Sequence, residues 1–84
     1  MKVEPLFKKG DYIINKNAGD IAIVKGVTKK NYYQFLQYYD AMFDSLKDLK
    51  NYSYELQVNY QKFFELCNDD EKKKMDEIIK NKCG

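Results

Sequence analysis

Histidine is missing from this chain, and so is arginine: all fifteen basic residues are lysine. Without His, no side chain has an ordinary pKa near neutrality, and the usual general base is gone. Without Arg, the planar fork that reads guanine through two hydrogen bonds is also gone, which counts against sequence-specific base readout. Cysteine is scarce: Cys67 and Cys83 form no C-x-x-C pair, and no His completes a metal site. No G-x-x-x-x-G-K-[ST] or G-x-G-x-x-G phosphate loop is present. Ser45 and Ser53 lie outside any G-x-S-x-G elbow, Thr28 sits among lysines, and Cys67 lacks an activating His. These gaps lead us to expect no enzyme activity, no cofactor and no bound metal. No apolar run approaches the roughly 20 residues of a membrane span, and none follows Met1 as a signal peptide does. The expected setting is a reducing cytoplasm with free thiols and no membrane contact. Cys67, within an apolar run, reads as a core residue; Cys83 reads as exposed.

What is present is aromatic. Eight Tyr and five Phe stand in a chain of 84 residues. A domain of this size buries only about 60–65% of its unfolded surface. Each aromatic brings roughly 150–250 Å² to bury, and each Tyr needs a partner for its hydroxyl. Some of this surface is therefore expected to be exposed. Tyr32, Tyr33, Tyr38, Tyr39, Met42 and Phe43 form the best protein-contact candidate, because Tyr and Met are enriched at interface cores.

Net charge is +2, unevenly spread. Residues 1–30 hold seven lysines against three acids, residues 31–68 three against five, and residues 69–84 five of each. Lys16, Lys25, Lys29 and Lys30, close to Tyr32 and Tyr33, form the alternative, nucleic-acid candidate: Lys neutralises phosphate and Tyr stacks on bases. The competing reading is that these lysines protect the edges of a small sheet. Asp69, Asp70, Glu71, Asp76 and Glu77 lack the alternating ligands of a calcium loop and read as solvated helix charge.

Along the chain, Tyr12, Ile13 and Ile14 are β-rich, Lys16-Asn17-Ala18-Gly19-Asp20 is a turn, and Ile21-Ala22-Ile23-Val24 is a continuous apolar run. Together they predict a hairpin. Tyr32–Tyr39 is dense in aromatics and predicts a strand with Tyr33, Phe35 and Tyr39 on one face. A helical stripe through Tyr32, Phe35, Leu36, Tyr39, Met42, Phe43, Leu46 and Leu49 competes with it. Residues 40–50 read as a loop or short helix. Tyr52, Tyr54, Leu56, Val58 and Tyr60 alternate with polar residues and predict a further strand. Asn68 with Glu71 three residues on forms an Asn variant of the capping box, ahead of an apolar face of Met75, Ile78 and Ile79. The expected layout is a single domain over 1–84, β-rich from 8 to 67, with a C-terminal helix at about 69–82.

Lys8 to Val27, K-K-G-D-Y-I-I-N-K-N-A-G-D-I-A-I-V-K-G-V, resembles the first hairpin of SH3-like small barrels, including KOW-type modules. The resemblance implies an SH3-like antiparallel barrel or curled sheet; with the C-terminal helix read from its capping residues, the expected fold class is α+β. KOW-type modules bind RNA or protein. The remainder, with F-F-E-L-C-N-D-D-E-K, is similar to small uncharacterised proteins of Gram-positive bacteria, their phages and mobile elements. The expected function is a non-enzymatic accessory factor that binds a protein, a host complex or a second copy, and occludes it. An anti-CRISPR inhibitor is one instance of that class. A KOW-like nucleic-acid-binding or regulatory module is the alternative.

Overall fold

A computed structural model describes residues 3–49 and 54–83. Strands β1 (Tyr12–Asn15) and β2 (Asp20–Val27) form the first hairpin, in the register Ile13↔Ala22 and Asn15↔Asp20. The turn between them is closed by Asn15, whose backbone carbonyl accepts from the Gly19 amide at 2.6 Å. Its side-chain Oδ1 accepts from the Asn17 and Ala18 amides. Gly19 holds φ +83°, a left-handed conformation open to glycine at no steric cost.

β3 (Tyr32–Asp40) lies along β2, as the aromatic density predicts. The other edge of β3 is shared. Its first residues, Tyr32–Gln34, pair with β5 (Glu55–Gln57), and its last, Gln37–Asp40, pair with β4 (Ser45–Asp48). A 3-10 helix (Val58–Phe63) leads into the short β6 (Glu65–Leu66), which pairs with β1. The sheet is antiparallel throughout, in the order β4-β3-β2-β1-β6, and does not close into a barrel. Helix α1 (Asp69–Cys83) completes a small α+β fold.

Two segments differ from expectation. Residues 41–44 are a turn and 45–48 a strand, where a loop or short helix was expected over 40–50. Lys50 lies outside the described residues. The helical spacing of Met42, Phe43, Leu46 and Leu49 is overridden by Asp40, whose Oδ1 accepts from the Met42 and Phe43 amides and starts a turn. The strand expected from Tyr52 is described only from residue 54; Tyr52 and Ser53 lie outside the described residues. It ends at Gln57. Val58 and Gln61 are both buried, and three residues is one turn of a 3-10 helix. The inward pair therefore winds the chain, and the alternation stops.

The sheet has a core on each face. Ile13, Ala22, Val24, Tyr33 and Phe35 point to one face, covered by Phe7, Leu49 and Val58. Ile14, Ile21, Ile23 and Tyr39 point to the other, with Cys67 and Met75; Ile78 and Ile79 of α1 pack against this cluster. This explains the unbroken apolar run from Ile21 to Val24: alternate side chains serve opposite cores. Tyr39 was expected beside Tyr33 and Phe35. The pairing Ile23↔Gln37 followed by Val24↔Phe35 leaves Leu36 as an extra residue on β3. That bulge shifts the alternation by one, so Tyr39 faces the helix side.

Helix α1 begins where its capping residues require. The Asn68 amide donates to Glu71 Oε1 at 2.9 Å and the Glu71 amide donates to Asn68 Oδ1 at 2.8 Å, a reciprocal box. Met75 is fully buried, worth roughly 1.5–3 kcal/mol. On the other face, Gln61 is the buried polar residue. Its Oε1 accepts from the Tyr33 hydroxyl and the Leu6 amide, and its Nε2 donates to the Glu4 carbonyl at 2.7 Å. The Tyr33 oxygen also accepts from the Leu6 and Phe7 amides. These bonds fasten the N-terminal segment, with Phe7, over the core.

Candidate protein-docking surface at two adjacent turns

The six aromatic and apolar candidates do not form one surface. Tyr33 is fully buried and Tyr39 nearly so; both are core residues, which corrects their reading as contact residues. Their hydroxyls are satisfied internally, Tyr33 by Gln61 and Tyr39 by Asp44 at 2.6 Å. Tyr32 is half-buried, its oxygen accepting from Gln57 Nε2 at 3.3 Å. Tyr38 is half-buried, with its ring against Phe35 and Tyr54 at centroid distances of 5.7 and 5.1 Å. Its hydroxyl donates to Asp20 Oδ2 at 2.8 Å. Desolvation, then that hydrogen bond to a carboxylate, pushes its pKa well above the usual phenol range.

Met42 and Phe43 are different. They are 83% and 74% exposed, side by side at the β3–β4 turn. An exposed apolar pair is ordinary on a mobile loop, but this turn is tied on several sides. Asp20, from the start of β2, accepts the Ala41 amide on Oδ1 at 2.9 Å. Asp40 accepts the Met42 and Phe43 amides at 3.1 and 3.4 Å. Asp44 stands at φ +48° and accepts from Tyr39 and, at 3.3 Å, from Lys82 of α1. The Tyr39 hydrogen bond first, then Lys82, holds the Asp44 carboxyl below its usual pKa. The neighbouring β1–β2 turn packs closely: a Cβ on Gly19 would meet the Ala41 Cβ at 3.2 Å. An open cleft of about 500 Å³ lies between the turns, lined by Asn17, Ala18, Asp20, Asp40, Ala41, Met42 and Phe43.

The chemistry of this place is physical rather than catalytic. It presents two solvent-exposed apolar side chains on a backbone whose conformation is already chosen. A partner that covers them loses little further entropy to order the turn.

The four candidate lysines are not gathered. Lys16, in the β1–β2 turn, is ion-paired with Glu65 at 3.2 Å. Lys29 and Lys30 occupy the β2–β3 turn at the opposite end of β2 and, with Thr28, Tyr32 and Glu55, line a cleft of about 530 Å³. β2 has eight residues, which separates the two turns by roughly 25 Å, several screening lengths at physiological salt. Lys25 is exposed along the strand between them.

Sequence reasoning missed Asp20, Asp40 and Asp44 as the supports of the exposed pair. The signal was D-A-M-F-D: turn-forming acids bracketing two apolar residues that a helix or strand would have buried. Cys67 is buried, and burial first, then Glu71, pushes its thiol up to about 11. That makes it a poor nucleophile. Among the described residues no three His, Cys, Asp or Glu side chains are grouped to hold a metal ion, and no helix is long and apolar enough to cross a membrane. No family model, curated protein or solved structure matches the chain.

Proposed function

We propose that this chain is a non-enzymatic protein-binding module of SH3-like topology that seats the Met42–Phe43 pair in a partner protein. The observation that carries the reading is the pairing of exposure with support: two large apolar side chains stand out on a turn held by Asp20, Asp40 and Asp44. Interface hot spots cluster near the well-packed, desolvated centre of a contact, and the apolar surface of two such side chains offers roughly 3–6 kcal/mol before the costs of association. The SH3-like reading is supported by the run of antiparallel strands, then a 3-10 turn, then a last short strand returning to β1. A small body with one such projection acts by occupation. In the cytoplasm it covers a surface of a larger complex, as an inhibitor from a phage or mobile element does.

The test is affinity purification from the source cells under native conditions. The wild-type chain and a Lys29→Glu, Lys30→Glu variant are expected to retain the same protein, and Phe43→Ser is expected to lose it, with all three equally folded by circular dichroism. Recovery of nucleic acid instead, lost in the double Glu variant and steeply weakened by salt, would replace this reading with the KOW-like one.

A further inference from the structure

Although the chain as a whole is positive, the exposed pair is not surrounded by lysine. The cleft beside Met42 and Phe43 is lined by two carboxylates, Asp20 and Asp40, and by no cation. Residues 40–44 carry two acids and no lysine in a chain with fifteen lysines. Lys82 of α1, which reaches this turn, is engaged on Asp44 at 3.3 Å. Asp20 uses both oxygens inside the fold, one for Ala41 and one for Tyr38. Asp40 uses Oδ1 for the turn amides, and among the described residues its second oxygen has no hydrogen-bond partner.

From this arrangement we infer that the cleft receives an arginine side chain of the partner protein. The inference rests on the protein-binding reading above and adds the chemistry of the contact. A guanidinium suits the site on three counts. Its N–H groups donate to the second oxygen of Asp40, and its charge is met by Asp20 behind. Its planar face is weakly hydrated and stacks on an aromatic ring, which Phe43 supplies at the rim. Its aliphatic stem covers apolar surface, which Met42 supplies. Lysine matches the charge but not the stacking. The occupant is therefore a basic protein segment in which Arg stands beside apolar residues.

The probe is the peptide N-acetyl-Leu-Arg-Leu-amide, compared with the same peptide carrying citrulline, which keeps the shape and loses the charge. Each is titrated into the ¹⁵N-labelled full chain. Saturable shifts confined to the amides of Ala18, Ala41, Met42 and Phe43 are expected with the arginine peptide. The citrulline peptide is expected to bind about three- to ten-fold more weakly. Asp40→Asn is the decisive variant, because Asn keeps an oxygen for the turn amides and removes only the charge; the same weakening is expected. Equal shifts from the two peptides, or an Asp40→Asn variant that binds the arginine peptide like wild type, overturns the inference. The two readings fail separately. If the purified partner is lost by Phe43→Ser but held unchanged by Asp40→Asn, the arginine site falls and the apolar anchor stands. If Phe43→Ser retains the partner while the arginine peptide still discriminates, the site stands and the anchor falls.

Discussion

Asp20 holds Ala41 across the gap between two turns: a carboxylate at the start of β2 accepts the amide that begins the turn after β3, at 2.9 Å. The same carboxylate accepts the Tyr38 hydroxyl, so one side chain fixes both the last residues of β3 and the turn that follows.

Asp20→Ala removes both bonds and leaves a half-buried phenol and a half-buried amide to find water. The expected cost is about 1–3 kcal/mol in urea unfolding, with faster hydrogen exchange at Ala41, Met42 and Phe43 than elsewhere in the sheet. Uniform exchange across β3 and its turn would show that Asp20 stabilises the fold without shaping the turn.

Tyr33→Phe keeps the ring in the core and deletes the oxygen on which Gln61, Leu6 and Phe7 converge. The Leu6 amide retains Gln61, while the Phe7 amide loses its partner. A loss of about 1–3 kcal/mol is expected, together with earlier cleavage of the N-terminal segment in limited proteolysis.

Asn68→Ala breaks the capping box and should cost about 0.5–2 kcal/mol. Asn81→Ala, an exposed change near the end of the same helix, should cost much less. Equal effects in denaturant melts would place the helix start elsewhere.

The Tyr12 hydroxyl donates to Asp76 on α1 at 2.6 Å, and this bond, ahead of desolvation, pushes its pKa up to about 12. The folded chain holds this proton more tightly than the unfolded chain, whose phenol titrates near 10. Stability from this contact is therefore complete below about pH 10 and lost as pH rises from about 10 to about 12. Tyr12→Phe should flatten that part of an alkaline stability profile. Asp44 works in the opposite direction. Its folded pKa is lowered, so its contribution is present above the ordinary carboxylate range and lost on acidification through the folded value. Asp44→Asn should remove that acid-side loss.

The parts of this fold that were legible in sequence are those with a local cause. The hairpin was announced by Asn17 and Gly19 between β-rich runs, and the helix start by Asn68 and Glu71 at capping distance. Over D-A-M-F-D a loop and a short helix both stayed open, because the apolar residues also fit a helical stripe, and only the side-chain bonds of Asp40 decide between the two; the strand that follows, Ser45–Asp48, was not expected. The division of the tyrosines into core and surface was not legible at all. Tyr33 and Tyr39 enter opposite cores because of one unpaired residue, and Leu36 has no composition that marks it as a bulge. The lysines looked like one basic group in sequence because Lys16 and Lys29 are close in number; a full strand keeps them apart.

That unpaired residue has a genetic consequence. Leu36 is a spacer in β3: β2 matches the strand with one residue fewer at this point, and Leu36 takes up the difference. Substituting it leaves every later side chain on its present face. Deleting it does the same, because Gln37 then follows Phe35 directly and still meets Ile23, with Tyr38 opposite Ala22 and Tyr39 opposite Ile21. A residue lost or gained elsewhere between Phe35 and Tyr39, with the bulge kept, would instead exchange the faces of the residues beyond it. The bulge is thus the one place in this half of β3 where the chain can shorten by a residue without turning a tyrosine out of its core.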